Sequence, residues 1–168
     1  YRDSIYFHDD RALYVNLFVP SVVTWKDKGA VLTQTTAFPD AATTTLRWTL
    51  KRPTDLTLKL RHPGWSRTAL VLVNGVEAAR STSPGRYLDL ARNWRDGDEV
   101  ELRLDMQPGV ERSPAAPDIV AFTFGPLVLA FLTVAATVWS TPELAPKTRI
   151  RRGDLRPRFT VPPHLRRM

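Results

Sequence analysis

Residues 43–61, TTTLRWTLKRPTDLTLKLR, alternate apolar and polar side chains twice over. Leu46, Trp48 and Leu50 stand against Arg47, Thr49 and Lys51. After Arg52-Pro53, Leu56, Leu58 and Leu60 stand against Thr57, Lys59 and Arg61. Successive side chains of a strand point to opposite faces, so this alternation puts one face on a core and leaves the other wet. The first segment is rich in β-branched threonine, and Pro53 cannot donate to a central ladder. The stretch therefore predicts two strands of a sheet packed on one side.

The same signal extends outward in both directions. RALYVNLFV (11–19) places Leu13, Val15 and Leu17 on one face and Tyr14 and Phe18 opposite, which predicts a strand covered on both sides. Asp9-Asp10 suits a tight turn from an extended Ser4–His8, and Pro20 interrupts the ladder before Val22–Trp25. Lys28-Gly29 turns into AVLTQTTAF (30–38). Further on, Asn74-Gly75 between Ala69–Val73 and Val76–Ala79 is the strongest hairpin signal in the chain. Arg86–Leu90 follows, then Asp96-Gly97-Asp98 leads into EVELRLDM (99–106), with Val100, Leu102 and Leu104 inward. Ile119–Phe124 and Leu127–Ala130 form a last apolar pair broken at Gly125-Pro126. No stretch through residue 130 sustains a helical period. Many short strands between turn residues predict an all-β chain folded as an antiparallel β-sandwich of jelly-roll type.

The 168 residues allow one domain with a short appendage. Residues 1–130 are expected to form the sandwich, and residues 131–168 an irregular or disordered basic tail with room for one strand or helix at its start. Residues 1–130 hold 16 Lys+Arg against 15 Asp+Glu, whereas 131–168 hold 8 against 2, so most of the net charge of +7 belongs to the proline-rich tail. That distribution describes a solvated segment and predicts no nucleic-acid partner. Residues 119–142 carry no charge and Arg149-Ile150-Arg151-Arg152 follows, a pattern that also fits a membrane span with a basic stop. Gly125-Pro126 and the Thr, Ser and Pro content favour buried strands instead, so no membrane partner is expected. The first ten residues lack a signal-peptide pattern, and the start at Tyr1 is read as the interior of a longer protein.

The chain has no cysteine, which excludes disulfides, thiolate zinc sites and cysteine nucleophiles within it. His8, His62 and His164 show no metal-ligand spacing, and neither a metal nor a cofactor is expected in this chain. Asp9-Asp10 and Asp96-Asp98-Glu99 are the dense acidic clusters. A glycosidase needs two carboxyls facing each other across a sugar at roughly 5–10 Å, and sequence does not display that facing geometry. Both clusters sit beside turns, where Asp bonds its own backbone; calcium binding and catalysis are the competing readings. Ser66, Ser81 and Ser83 lie in no nucleophile motif, and no phosphate-cradling glycine loop occurs. No catalytic residue is assigned. Among the tryptophans, Trp48 is in phase with leucines and reads as core. Trp25, Trp65 and Trp94 fall at strand ends or loops, where such rings are expected to seal the sandwich or a domain interface, with stacking on a sugar as the competing reading.

Several strings, taken in order and spacing, resemble one region of known enzymes. They are LYVNLFVPSVVTW (13–25), TQTTAFPDAATTTLRW (33–48), LKLRHPGW (58–65), VLVNG (71–75), PGRYLDLARNWRDGDEVELRLDM (84–106) and FGPLVLA (124–130). The chain is similar to the β-sandwich that follows the catalytic barrel in glycoside hydrolase families 127 and 146, the β-L-arabinofuranosidases and their kin. The resemblance implies a parent with an (α/α)6 barrel that holds a glutamate acid/base and a zinc-bound cysteine nucleophile, and that is periplasmic, secreted or cytoplasmic. No position here matches those catalytic residues, so the chain is expected to be inactive alone and zinc is implied for the missing barrel only. LDM at 104–106 stands where the family more usually has Leu-Pro-Met, and past Ala130 the resemblance stops. The expected role is an accessory domain that packs on the barrel of the same polypeptide. The alternative is an autonomous carbohydrate-binding module for plant arabinans or related glycans.

Overall fold

The computed structural model describes residues 2–130 and the pair 166–167. The strands it describes are β1 (Tyr6–His8), β2 (Ala12–Val15), β3 (Ser21–Trp25), β4 (Ala30–Thr36), β5 (Thr43–Leu50), β6 (Thr54–His62) and β7 (Ala69–Val73). They continue with β8 (Val76–Ser81), β9 (Arg86–Trp94), β10 (Glu99–Leu104), β11 (Pro108–Ser113), β12 (Ala116–Phe124), β13 (Leu127–Val128) and β14 (Arg166–Arg167). Only two three-residue 3-10 turns, at Arg2–Ser4 and Lys26–Lys28, are helical among the described residues.

A first sheet runs β14-β1-β2-β6-β9 and a second runs β3-β4-β5-β10-β7-β8. The two pack face to face through one continuous core. Leu13, Val15, Leu56, Leu58, Leu60, Leu88 and Leu90 project from the first sheet; Leu32, Leu46, Trp48, Val71, Val100 and Leu102 project from the second. This is the two-layer β-sandwich that the alternation in residues 43–61 predicts. Burying each such side chain contributes about 1.5–3 kcal/mol, so the core is the dominant favourable term. The Trp48 and Trp94 rings, one from each sheet, lie 5.8 Å apart inside it.

Turn chemistry fixes the register. Asn74 (φ 51°) and Gly75 (φ 80°) both adopt positive φ, as a tight two-residue hairpin turn requires. Pairing is antiparallel throughout except for β2 with β6, which run parallel with Ala12 opposite Thr57 and Val15 opposite Leu60.

Local pattern misplaces the segment after β2. Alternation puts Leu17 with Leu13 and Val15, and Phe18 opposite; in the structure Phe18 enters the main core and Leu17 is half-exposed. The N–H groups of Asn16 and Leu17 both donate to Ile5 O, at 2.9 and 3.3 Å, so one extra residue is accommodated and the phase inverts. Both faces of β2 are nevertheless covered: Leu13 and Val15 by the main core, Ala12 and Tyr14 by a smaller cluster with Phe7 and Tyr87.

Strands β11, β12 and β13 form a separate third sheet. The apolar run from Ile119 is strand as far as Val128, so this part of it is not a membrane helix. Gly125 turns the chain at φ 55°, and a Cβ there would lie 2.8 Å from the Met106 side chain. Among the described residues no helix is long and apolar enough to cross a membrane. The sequence reading of a tail over residues 131–168 lies almost wholly outside the described residues; only Arg166–Arg167 is seen, paired with β1.

Leu58→Ala, at a fully buried position of β6, is expected to lower unfolding free energy by about 2–5 kcal/mol in urea titration. Val22→Ala, on the solvent face of β3, should change it by less than about 0.5 kcal/mol. Similar losses at both positions would contradict the two-layer core.

Candidate functional site

Asp9 sits in the β1–β2 turn. Its Oδ1 accepts the backbone N–H groups of Arg11 (2.8 Å) and Ala12 (2.7 Å), and its Oδ2 accepts the Tyr14 hydroxyl (3.0 Å). Burial alone pushes this carboxyl up. The two N–H donors, the Tyr14 hydroxyl and the nearby Lys59 charge together outweigh burial and hold it below the ordinary aspartate value. Tyr14 is in turn pushed up to about 12, first by burial and then by the Asp9 carboxylate. In the second acidic cluster, Asp96 Oδ1 accepts the Leu50 N–H at 2.9 Å. Asp98 accepts the Arg95 N–H (2.8 Å) and the Asn74 amide (2.9 Å), while Asn74 Oδ1 accepts the Glu99 N–H (2.9 Å). Asp9, Asp96 and Asp98 are thus committed to turns: Asp96 and Asp98 bind the β9–β10 turn to β5 and to the β7–β8 hairpin. Among the described residues no three His, Asp or Glu side chains gather where a metal ion would sit.

The three candidate tryptophans part company. Trp94 is fully buried, and its Nε1–H donates to Leu56 O at 3.0 Å. Trp25 is 4% exposed; Lys28 Nζ lies 5.6 Å from its ring centroid and the His8 ring 5.3 Å away. Neither offers a free face for a sugar. Trp65 is half-buried and stacks on Phe38 (5.9 Å, 16°), which meets Phe18 edge-on at 5.8 Å. Together with Asn16, Arg61 and Pro126 these rings line a recess of about 210 Å3.

One juxtaposition is invisible in the sequence. His62 at the end of β6 is fully buried, with Nε2 2.8 Å from Ser66 O and Nδ1 3.0 Å from Ser81 Oγ. A nitrogen facing a carbonyl must carry the proton, so Nε2–H donates to Ser66 O, while Nδ1 shares a hydrogen bond with the Ser81 hydroxyl. Ser66 Oγ donates to Thr68 O (2.7 Å) and accepts the Asp105 N–H (2.9 Å). The arrangement is half of a hydrolase triad in outline. Its imidazole, however, is oriented by a backbone carbonyl rather than a carboxylate and is sealed from solvent, so it ties β6, β8 and the connecting loop together. Ser81 lies 19 residues from His62, and only the pairing of separate strands brings them into reach.

Residues 12–106 match the family described as Beta-L-arabinofuranosidase, GH127 middle domain. The chain belongs to this GH127 middle-domain family. The GH127 beta-L-arabinofuranosidase from Geobacillus stearothermophilus T6 is 30% identical, with a TM-score of 0.65 over 74% of this chain and 21% of that one. A second GH127 beta-arabinofuranosidase gives 29% identity and a TM-score of 0.62 over 74% of this chain and 23% of its own. A protein described as a glycoside hydrolase gives 30% and 0.61 over 69% and 20%. This GH127 middle domain therefore spans about a fifth of the solved structures it matches. No curated protein matches it significantly. The matched residues contain nearly all of the two-layer sandwich, and β11–β13 lie beyond them.

A carboxyl held low in the folded state contributes stability above the ordinary aspartate range and loses it as pH falls through the depressed folded value. Asp9→Asn should therefore destabilise this GH127 middle domain by about 1 kcal/mol at neutral pH. Urea titrations at successive pH values should show the gap to the parent narrowing in acid. A gap that stays constant would contradict the assignment.

Proposed function

We propose that this GH127 middle domain is a non-catalytic sandwich that packs on and supports an (α/α)6 catalytic barrel of the same polypeptide, within an enzyme that cleaves β-L-arabinofuranosides. Residues 1–130 make up the accessory unit under this reading. The observation that carries the reading is the third sheet. Val110, Ile119, Val120, Phe122, Phe124, Val128 and Leu129 are all exposed, at 38–67%, on a three-stranded sheet that no second layer closes among the described residues. An apolar surface of this kind, rimmed by polar residues, marks a contact with more protein. The segment covers only about a fifth of the solved relatives' length, which supports a partner within one chain.

This chain's own residues do not fit the zinc–thiolate centre that the family resemblance implies for the barrel: it has no cysteine, and no three acidic or imidazole groups converge among the described residues. The chemistry belongs to the partner domain under this reading. Incubated with 4-nitrophenyl β-L-arabinofuranoside, the purified chain should release no nitrophenol above the blank; turnover would overturn the assignment. The exposed sheet should also bind a hydrophobic-surface dye. The double substitution Val120→Ser with Phe122→Ser should lower that binding at least about twofold without altering cooperative unfolding of the sandwich, and undiminished dye binding would place the contact elsewhere.

A second reading rests on the recess beside Trp65, whose stacked rings and Arg61 suit a single neutral sugar ring. Saturable quenching of tryptophan fluorescence by arabino-oligosaccharides, lost in Trp65→Ala, would favour it over the supporting role.

A further inference from the structure

Because β2 and β6 run parallel, their first residues lie side by side at one end of the sandwich, and the Thr57 N–H donates to Arg11 O at 3.0 Å. The end of β9 pairs onto the same rim, Ala91 opposite Thr57 and Arg92 opposite Leu56, and the turn after β3 brings Lys28 from the second sheet. These elements enclose an open cleft of about 570 Å3 lined by Arg11, Lys28, Asp55, Leu56, Thr57 and Arg92. A recess of about 470 Å3 that includes Asp27, Arg52 and Thr54 adjoins it, with Lys28 and Asp55 common to both.

Four cations border this groove: Arg11, Lys28, Arg52 and Arg92. Among the described residues none of them forms a salt bridge. Lys59, Arg80 and Arg103 are each paired with a carboxylate elsewhere, whereas these four cations face only two acids in the groove, Asp27 and Asp55, which leaves it a local excess of positive charge. Arg92 occupies an inward phase of β9, between Leu90 and Trp94, where an apolar residue would extend the core. Its guanidinium instead lies over the Trp94 ring, 5.4 Å from the centroid, as Lys28 lies over Trp25 at 5.6 Å. Buried aromatic faces hold both cations in place at the groove mouth.

We propose that this groove binds the carboxylates of an acidic oligosaccharide, with successive uronate units in the two recesses. Arginine forks match carboxylate geometry, and charge-assisted bonds of this kind are the strong ones. Asp27, Asp55, Thr54 and Thr57 supply acceptors for sugar hydroxyls, and Asp55 is fixed by the Asn93 amide at 2.9 Å. Those acceptors suit a hydroxyl-rich uronide better than a deoxyribose-phosphate backbone, which brings negative charge but no hydroxyl donors to them. The site goes beyond the supporting role and stands whether or not a barrel packs on the third sheet.

The test is calorimetric titration of the chain with linear trigalacturonate, neutral arabinotriose and a ten-nucleotide single-stranded DNA. Trigalacturonate should bind saturably, more weakly at high salt, and at least about tenfold more tightly than the other two. Arg11→Gln and Arg92→Gln should each weaken it about tenfold, while Arg86→Gln, the same charge change at the opposite end of β9, should alter it less than about twofold. Thermal unfolding checks that each variant is folded, and Lys28→Gln serves in place of any that is not. Absence of saturable binding at millimolar trigalacturonate, equal binding of the DNA, or indifference to all three groove substitutions would overturn the proposal.

Discussion

Closure of two apolar sheet faces on each other is the constraint from which the rest of the molecule follows. The contact is centred on leucines of β6 against leucines and tryptophan of β5 and β10, with Trp48 and Trp94 meeting across the layers. Strands carrying one apolar face are unstable alone; face-to-face packing removes both faces from water at once. The parallel β2–β6 pairing extends the first sheet by the N-terminal hairpin, and the turns bonded by Asp9, Asp96 and Asp98 hold the strands in register. Three carboxylates of the acidic clusters, Asp9, Asp96 and Asp98, are thereby engaged in the fold.

Most of the sandwich is legible in the sequence because period-two alternation is a direct readout of burial on a strand. Leu46, Trp48 and Leu50, Leu56 to Leu60, and Val100 to Leu104 all face inward as their phase dictates. Where a backbone irregularity intervenes, the phase is lost: the shared Ile5 acceptor reverses Leu17 and Phe18, and no composition rule foretells it. Strand β11, Pro108–Ser113, is hidden behind proline and charge and exists because β12 pairs with it. The parallel pair and the His62–Ser81 contact are long-range outcomes with no local signal.

The candidate aromatics show the same division. Position at a strand end identifies Trp25, Trp65 and Trp94 as residues near the ends of the sandwich, but not the direction of their rings. Two point into the core and support cations on their outer faces; the third opens onto a small recess. Each cation is a near neighbour of its tryptophan in sequence, Lys28 three residues after Trp25 and Arg92 two before Trp94, but a reading of tryptophans alone finds flat surfaces where the structure offers positive charge. Membership of the GH127 middle-domain family accounts for the sandwich, while the third sheet lies beyond the matched residues.

Under the proposed supporting role, the two-layer sandwich is held by its own core and the third sheet relies on further contacts. Native-state hydrogen exchange of the chain, read by mass spectrometry, tests this most directly, since protection reports the free energy of local opening. Backbone amides of β5, β6 and β10 are predicted to exchange only through global unfolding, and those of β11, β12 and β13 orders of magnitude faster. Equal protection in both groups would contradict the account.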